Sequence, residues 1–278
     1  EKWAGDFMEQ LRETKNTGTA NKTIIITPQV KDDFLEKYRK AKNRIFFLDY
    51  DGTLVNFVDK PEEAKPDLLL LDLITKLNSR ENTDVVLISG RDKETLGSWW
   101  KNVPVDLISE HGVWMRPVGE DWQLAENVKC DWMKSIRPVL EAYVDRTPGT
   151  FIEEKNYSLA WHYRKANPEL GDVRANELSA VLKDMISNHG LSVLQGNKVL
   201  EIKNSGVNKG KAANKLLVEK YDFIFAVGDD WTDEFLFTEL PDQTVTVKVG
   251  MNKTEAKYFL DDVDEVRELL NQFVSLTR

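Results

Sequence analysis

Short runs of apolar residues alternate with longer segments in which apolar residues recur at helical spacing. The short runs predict five buried strands: Ile45–Leu48, Val85–Ile88, Leu107–Ile108, Phe223–Val227 and Thr244–Val249. The longer segments predict helices over Asp67–Leu77, Asp92–Trp100 and Lys209–Glu219. Because strands that alternate with helices form right-handed βαβ units, we expect a Rossmann-like α/β fold, a parallel sheet with helices on both faces.

The middle of the chain has a different pattern. Pairs of short apolar segments predict two β-hairpins, formed by Phe151–Ile152 with Ser158–Tyr163 and by Leu191–Leu194 with Lys198–Ile202. A helical pattern, Pro168–Asn188, lies between them. Since hairpins do not continue a βαβ series, we expect an inserted α+β domain over residues 113–203, which divides a core made of residues 41–112 and 204–278.

Residues 1–40 are predicted to be an N-terminal extension and linker. Within them, Trp3–Leu11 has apolar residues at helical spacing, which indicates the end of an upstream domain or a packing helix. The polar stretch Arg12–Lys22 is typical of a linker. Because the chain begins with Glu1 instead of Met, we expect it to be part of a longer protein.

The composition restricts the class of protein. The 278 residues are 41% hydrophobic, enough for a sizeable core, and their net charge is −9. An acidic surface repels phosphate backbones, which argues against general nucleic-acid binding. No apolar run approaches the roughly 20 residues that cross a bilayer, no secretory signal is visible, and the single Cys130 cannot form an internal disulfide. These features predict a cytoplasmic protein without a nucleic-acid or membrane partner.

Unusual polar segments follow three of the predicted core strands: Asp49–Thr53, Ser89–Arg91 and Gly228–Asp233. The carboxyl ends of parallel strands meet at one sheet edge, where α/β proteins bind ligands. The carboxylates at this edge would repel one another unless a cation neutralised them, and a hard divalent ion such as Mg²⁺ fits. A calcium-binding loop does not fit, because Gly52 and Lys60 stand where its spacing requires other residues.

Each segment alone also has an ordinary structural interpretation. Asp51-Gly52 is a common turn dipeptide, Ser89–Arg91 can begin a helix, and Lys209 can be a solvated lysine. Acids at a helix N-terminus offset the helix dipole, but the last segment holds four acids within six residues, more than a dipole needs. Asp229 and Asp233 would share one face if this segment is helical, an arrangement that suits metal coordination.

In this order, four segments resemble the motifs of the haloacid dehalogenase superfamily of aspartate-based phosphatases. DYDGTL resembles the first motif, the serine of SGR the second, Lys209 the third and GDDWTDE the fourth. Further segments are similar to the trehalose-6-phosphate phosphatase family: EHG at Glu110–Gly112, EEK at Glu153–Lys155, LAWHYR at Leu159–Arg164 and KVLEIK at Lys198–Lys203. The resemblance covers about Ile45 to Val249 and implies a haloacid dehalogenase-like core with an inserted α+β cap.

The resemblance implies a role for each core residue. Asp49 would be the nucleophile that takes the phosphoryl group, and Asp51 would protonate the leaving sugar oxygen and then activate water. We expect Asp51 to lie among like charges, which favour the protonated carboxyl. The phosphoryl group would be bound by Ser89, Gly90 and Lys209. Mg²⁺ would be held by Asp49, the backbone carbonyl of Asp51, Asp229 and Asp233, with Asp230 nearby.

The cap is then expected to recognise the sugar. The resemblance assigns contacts with glucose hydroxyls to Glu153, Lys155, Lys198 and Glu201, and Glu110 and Arg164 are further candidates. The alternative is that these residues are ordinary charges on the cap surface. His162 is expected to be structural, and Trp231 to pack on the neighbouring helix. Several fixed donors and acceptors would let such a site reject analogues that lack a hydroxyl.

Together these inferences predict an Mg²⁺-dependent phosphatase that converts trehalose 6-phosphate to trehalose and phosphate through an aspartyl-phosphate intermediate. Two alternatives stay open: a phosphatase for another sugar phosphate, such as sucrose phosphate, or a non-catalytic regulatory domain of a trehalose-synthesis complex. The enzyme is favoured because every core motif residue is present. The resemblance also implies a glycosyltransferase-like domain upstream on the same chain.

Overall fold

The computed structural model describes residues 23–58, 60–125, 129–187, 189–196, 198–218 and 221–276. Its strands are β1 Ile24–Ile25, β2 Arg44–Asp49, β3 Thr83–Ile88, β4 Asp106–Ser109, β5 Trp114–Arg116, β6 Gln123–Leu124, β7 Phe151–Glu154, β8 Ser158–His162, β9 Leu191–Gly196, β10 Val199–Asn204, β11 Phe223–Gly228, β12 Val245–Val249 and β13 Tyr258–Leu260. Its α-helices are α1 Pro28–Lys40, α2 Leu68–Asn78, α3 Lys93–Trp99, α4 Met133–Arg146, α5 Pro168–Ile186, α6 Lys209–Lys215, α7 Glu234–Glu239 and α8 Val263–Ser275.

The core is a nine-stranded sheet with the order β1-β13-β12-β11-β2-β3-β4-β5-β6. The strands from β1 to β4 in this order are parallel, and β5 and β6 continue the sheet in antiparallel fashion. β2 lies between β11 and β3, with Leu48 opposite both Val227 and Leu87. The carboxyl ends of these three strands therefore lie side by side, as the strand pattern predicted.

Alternate residues of β2 belong to two separate hydrophobic cores. Phe46 and Leu48 face α1, α2, α3 and α8, and the ring centroid of Phe46 is 5.3 Å from that of Phe273. Ile45 and Phe47 face α6 and α7 on the opposite side of the sheet. A strand that is buried on both faces needs apolar residues at every position, which explains the continuous apolar run. The predicted helices on both faces are confirmed.

The second half of the predicted N-terminal extension belongs to the core instead. β1 pairs in parallel with β13, and α1 begins at Pro28 after the N-cap residue Thr27. Phe34 and Tyr38 lie one helical turn apart and are buried against the sheet. This four-residue apolar spacing was a helix signal within the range that we assigned to a linker. The predicted helix Trp3–Leu11 lies outside the described residues.

The inserted cap is a four-stranded antiparallel sheet with the order β7-β8-β10-β9. α4 and α5 cover one of its faces, where Trp161 and Leu200 are fully buried. The predicted start of the insertion at residue 113 is corrected, because Trp114–Arg116 pairs with β4 and so extends the core sheet. This error arose because a short antiparallel strand after βαβ units resembles the start of a hairpin domain.

The longest described helix, α5, has 19 residues and carries charged residues along its length. Among the described residues, no helix combines the length and the apolar character that a membrane span requires.

Candidate active site

A cleft of about 1120 Å³ lies between the carboxyl ends of the core strands and the cap. Its floor includes side chains from three strand ends, and its wall includes side chains from the cap. The lining residues that matter below are Asp49, Asp51, Gly90, Arg91, Lys209, Asp229 and Asp230 from the core and Glu110, Glu153 and Lys155 near or in the cap. The structure therefore brings the four motif segments together, as the parallel-sheet argument predicted.

Lys209 lies at the centre of the floor and joins two aspartates. Its Nζ donates to Asp49 Oδ1 and to Asp233 Oδ1, each at 2.7 Å, and all three side chains are buried. Lys209 is the first residue of α6, and the side chain of the N-cap residue Asn208 accepts from the Lys211 N–H at 2.8 Å. Burial favours the neutral amine, but Asp233 and Asp49 hold the pKa of Lys209 well above its usual value.

Three carboxylates crowd this floor. Asp49, Asp229 and Asp233 each offer a carboxylate oxygen, and these oxygens lie within 4.8 Å of one another. Burial, followed by repulsion from neighbouring aspartates, raises the pKa of Asp49 to about 8 and that of Asp229 to about 7, although Lys209 opposes both shifts. One lysine does not offset three clustered carboxylates, two of which are buried, so the donor set fits a hard divalent cation.

The GDDWTDE segment reaches this cluster by a different geometry from the one we predicted. Asp229 precedes the helix, so the predicted i, i+4 pair with Asp233 on one helical face is wrong. Asp230 is instead the N-cap of a 3-10 turn, Trp231–Asp233: its Oδ1 accepts from Thr232 N at 2.7 Å, while Asp233 Oδ2 accepts from Asp230 N at 3.1 Å. This reciprocal cap orients Asp233 towards Lys209.

The turn after β2 brings the two aspartates of DYDGTL to the cleft. Gly52 has a φ of +79°, and a Cβ at this position would overlap the Asp229 carboxylate. The Thr53 hydroxyl donates to Asp49 Oδ2 at 2.9 Å, so both oxygens of Asp49 accept a hydrogen bond, one from Thr53 and one from Lys209. Asp51-Gly52 therefore forms the turn that its sequence suggested, and this turn also brings Asp51 and Thr53 to the candidate site.

The surroundings of Asp51 differ from the expectation of like charges. Its carboxylate accepts two hydrogen bonds from Arg91, with Nε to Oδ2 at 2.8 Å and Nη2 to Oδ1 at 2.6 Å. Arg91 was not among the predicted site residues. The available signal was its place directly after Ser89-Gly90 at a strand end, but nothing in the sequence shows that it reaches β2's turn.

Of the two predicted phosphate-binding residues after β3, Gly90 lines the floor, whereas Ser89 lies directly before it and is not part of the cleft lining in the described chain. Ser89 is buried and its Oγ accepts from the Arg91 N–H at 3.1 Å. A Cβ on Gly90 would overlap the imidazole of His111, so glycine is required here, and the backbone of residue 90 can lie next to the cleft. Burial lowers the pKa of His111 to about 3, which keeps this imidazole neutral.

Three of the predicted sugar-binding residues line the cleft: Glu110, Glu153 and Lys155. Lys155 Nζ donates to the Gly90 carbonyl at 3.4 Å, which links the cap to the core. Glu153 Oε2 accepts from His162 Nε2 at 2.7 Å, and the His162 ring stacks on Phe151. His162 thus supports a cleft residue. This contact, followed by nearby Lys155, lowers the pKa of Glu153 despite its partial burial.

The remaining three predicted sugar-binding residues lie elsewhere. Glu201 is behind the lining, with Oε2 3.9 Å from His111 Nε2. Lys198 pairs with Asp172 of α5 at 2.6 Å, which draws it towards the helix-covered side of the cap. Arg164 follows the end of β8 and is exposed. Within the described ranges the structure does not bring Lys198 or Arg164 to the cleft wall.

Comparisons with known proteins agree with this geometry. The family model described as trehalose-phosphatase matches residues 47–264. The chain is 32% identical to the trehalose-phosphatase of Saccharomyces cerevisiae and 36% identical to a bifunctional trehalose-6-phosphate synthase/phosphatase of Thermoproteus tenax; each alignment covers 98% of this chain, and they cover 35% and 38% of those proteins. Thus the chain spans little more than a third of the length of these relatives.

Among solved structures, the fold is similar to the C-terminal domain of Candida albicans trehalose-6-phosphate phosphatase. The TM-score is 0.83 at 28% sequence identity, and the match covers 92% of this chain and 100% of that one. This similarity includes a haloacid dehalogenase-like core and its cap. The chain therefore belongs to the trehalose-phosphatase family.

Proposed function

We propose that this chain hydrolyses trehalose 6-phosphate to trehalose and inorganic phosphate. The observation that carries the proposal is the buried Asp49–Lys209–Asp233 arrangement, which lies on the floor of the same cleft as Asp51. Family membership supports this reaction class, and the names of the relatives support the substrate. A buried lysine between two carboxylates is an arrangement that suits phosphoryl transfer, which depends on positioning and charge neutralisation.

In the proposed first step, an oxygen of Asp49 attacks phosphorus. A bond from phosphorus to the aspartate oxygen forms, the bond from phosphorus to the sugar oxygen breaks, and the sugar oxygen takes a proton from Asp51. In the second step water attacks phosphorus and gives a proton to Asp51. The bond to Asp49 breaks, and inorganic phosphate leaves. The enzyme returns to its starting state after one water molecule is consumed.

The neighbours of Asp49 suit the role of a nucleophile. Thr53 and Lys209 each hold one of its oxygens, which fixes the carboxylate plane relative to the cleft. We assign Lys209, Ser89 and the backbone at Gly90 to the phosphoryl oxygens, because the lysine ammonium and the backbone N–H groups can stabilise their negative charge. The Asp49–Lys209 distance of 2.7 Å also means that the same ammonium can contact nucleophile and phosphoryl group.

A Mg²⁺ ion would be held by the carboxylates of Asp49, Asp229 and Asp233 and by the backbone carbonyl of Asp51. The fit rests on the 4.8 Å clustering of the carboxylate oxygens and on the raised pKa values of Asp49 and Asp229, which indicate a deficit of positive charge. When bound, the ion would supply positive charge that offsets charge on the phosphoryl group.

The sugar is proposed to lie against the cap wall, where Glu110, Glu153 and Lys155 offer charged hydrogen-bonding groups. Glu201 lies just behind this wall. Sugar contacts by Lys198 and Arg164 stay predictions, because both residues lie away from the cleft wall in this arrangement of the cap. A wall with several fixed polar groups would favour a sugar that satisfies all of them.

Relatives longer than this chain support a further proposal about its context. The Thermoproteus tenax relative is named as a bifunctional synthase/phosphatase, and this chain spans 38% of it. We propose that a glycosyltransferase-like synthase domain lies upstream on the same polypeptide, so that one domain makes the sugar phosphate that the other hydrolyses.

The proposed function is tested by phosphate release from trehalose 6-phosphate, sucrose 6-phosphate and glucose 6-phosphate, with Mg²⁺ and with EDTA. We expect trehalose 6-phosphate to be hydrolysed fastest and EDTA to abolish release. Asp49→Asn should lower kcat by about 10⁴-fold or more, as loss of a nucleophile does. Asp72→Asn, at an exposed ion pair with Lys76, is the matched control and should keep full activity.

The two alternatives predict other results in the same experiment. A phosphatase for a different sugar phosphate would prefer sucrose 6-phosphate. If the chain is a regulatory domain, the wild-type protein would release no phosphate from any of the three substrates.

A further inference from the structure

Arg91 is a charged residue on the cleft floor to which the mechanism above gives no role. It follows Ser89-Gly90 at the carboxyl end of β3, and its guanidinium reaches the turn after β2. Although Arg91 lines an open cleft, each nitrogen of its guanidinium donates a hydrogen bond.

Four separate contacts fix the guanidinium. Nε and Nη2 donate to the two oxygens of Asp51, and Nη1 donates to the Pro61 carbonyl at 2.8 Å. The guanidinium also lies 4.5 Å from the ring centroid of Trp99, within cation–π range. Its own backbone N–H donates to Ser89 Oγ. Arg91 is therefore held by the backbone, by an aromatic ring and by a carbonyl, independently of Asp51.

Asp51 is held far less completely. Its side chain is 27% exposed, and among the described residues the Arg91 guanidinium is the side chain that hydrogen-bonds to its carboxylate. A carboxylate at the start of the turn over residues 52–54 has freedom to rotate about χ1 and χ2. The forked pair removes this freedom, because two parallel N–H···O bonds define both the position and the plane of the carboxylate.

We propose that Arg91 is a positioning residue that holds the Asp51 carboxylate for proton transfer to and from the reacting oxygens. This inference rests on the proposed role of Asp51 in the phosphatase reaction. A lysine cannot substitute, because an ammonium is a point charge and lacks the planar fork that fixes the carboxylate plane. The anchors on Trp99 and Pro61 are what make the fork rigid enough to act in this way.

A positioning role has a specific kinetic consequence. The constant kcat/KM reports the steps up to departure of the leaving group, so it depends on the proton that Asp51 gives to the leaving oxygen. An alkoxide leaves poorly without this proton, whereas 4-nitrophenolate leaves well without it. Loss of Arg91 should therefore lower kcat/KM for trehalose 6-phosphate and phenyl phosphate much more than for 4-nitrophenyl phosphate.

The experiment compares wild type with Arg91→Ala, Arg91→Lys and the control Arg116→Ala on these three substrates. Arg116 also lies over an aromatic ring, 5.3 Å from the Trp122 centroid, but it belongs to β5 and is not part of the cleft lining in the described chain. For Arg91→Ala we expect kcat/KM to fall about 10²-fold with trehalose 6-phosphate and less than about 5-fold with 4-nitrophenyl phosphate. The fall with phenyl phosphate should lie between these two values. Arg91→Lys should behave like Arg91→Ala, and Arg116→Ala like wild type.

Chemical rescue gives a second readout that a purely structural role would not move. Methylguanidine should restore activity of Arg91→Ala towards trehalose 6-phosphate, because the space beside Trp99 and Pro61 can bind a guanidinium again. Methylamine, which lacks the fork, should not. An unchanged melting temperature of the variant shows that the fold is intact.

Equal losses on all three substrates would overturn the proposal, because they indicate a contact with the phosphoryl group common to all. Unchanged kinetics, or equal rescue by methylamine, would overturn it as well. If wild type itself hydrolyses none of the substrates, the proposed function fails, and this outcome is distinct from any result obtained with the Arg91 variants.

Discussion

The floor of the cleft and its cap wall hold their charged side chains in different ways. On the floor, Lys209 is buried and paired with two aspartates, and Asp49 is held at both oxygens. In the cap, Lys203 of β10 is similarly buried, at 4% exposure, but its ammonium has no hydrogen-bond partner among the described residues. Burial lowers the pKa of Lys203 to about 8, whereas the aspartates raise that of Lys209.

This contrast indicates that the two regions have different roles. The floor is preorganised, so in the proposed reaction its groups would need little rearrangement before phosphoryl transfer. Near the cleft, contacts between the cap and the core include Lys155 with the Gly90 carbonyl and His111 with Glu201. If the wall binds a sugar as proposed, Glu153 and Lys155 would adjust to it more readily than Lys209, because their side chains are more exposed.

The largest loss of stability is expected when the buried Lys209 is replaced. Lys209→Met leaves Asp49 and Asp233 without their cation, and breaking a buried ion pair on one side typically costs about 3–5 kcal/mol. We expect kcat to fall at least about 10²-fold as well. Thermal unfolding without divalent ions and phosphate release measure these two effects.

Lys203→Met is the matched variant. It removes a buried ammonium that has no hydrogen-bond partner among the described residues and is attracted mainly by the nearby Glu201 carboxylate, so we expect a much smaller fall in melting temperature than for Lys209→Met. A large destabilisation by Lys203→Met, or none by Lys209→Met, would contradict the contrast between the two regions.

The acidic floor should make stability depend on pH when no divalent ion is bound. The pKa of Asp49 is about 8 in the folded protein and about 3.9 in an unfolded chain. Between these values the folded state binds more protons, so the free energy of unfolding falls as pH rises from about 4 to about 8. Asp49→Asn cannot ionise, so its melting temperature relative to wild type should increase with pH across this window.

Differential scanning fluorimetry at several pH values in EDTA tests this expectation. Added Mg²⁺ should stabilise wild type more at the upper end of the window than at the lower end, because binding requires ionised carboxylates. Asp72→Asn, at an exposed ion pair, is the control for loss of a carboxylate away from the floor. A pH-independent difference for Asp49→Asn would argue against a charge deficit on the floor.

A smaller effect is expected in the wall. Lys155→Ala should raise KM for trehalose 6-phosphate about 10-fold, the loss of roughly one charged hydrogen bond. It should leave KM for 4-nitrophenyl phosphate nearly unchanged, because that substrate has no sugar. Lys183→Ala, on the exposed side of α5, is the control. An equal rise in KM on both substrates would mean that Lys155 acts through the Gly90 backbone and not through the sugar.

The sequence predicted the floor better than the wall, and the reason is physical. The polar segments of the floor directly follow apolar strands, and parallel strands bring such ends together without further information. The contact between Arg91 and Asp51 could not be predicted in the same way. It joins side chains 40 positions apart and depends on how far a guanidinium reaches across two strand ends.

Two other differences have local causes. The expectation that Asp229 and Asp233 share a helical face was wrong because Asp230 caps a 3-10 turn, so the helix begins after Asp229. In the cap, Lys198 was assigned to the sugar from its motif, but a neighbouring acid on α5, Asp172, holds it at 2.6 Å. Competition between partners of opposite charge is not visible in a linear pattern.

The central claim is that Asp49 takes the phosphoryl group from the substrate. The most direct test is to mix the enzyme with trehalose 6-phosphate and Mg²⁺, quench with acid within one turnover, and map the added phosphate by mass spectrometry after digestion. One phosphate is expected on the peptide that contains Asp49, and none when Asp49→Asn is used. Turnover without any covalent phosphate, or a phosphate on another residue, would contradict it.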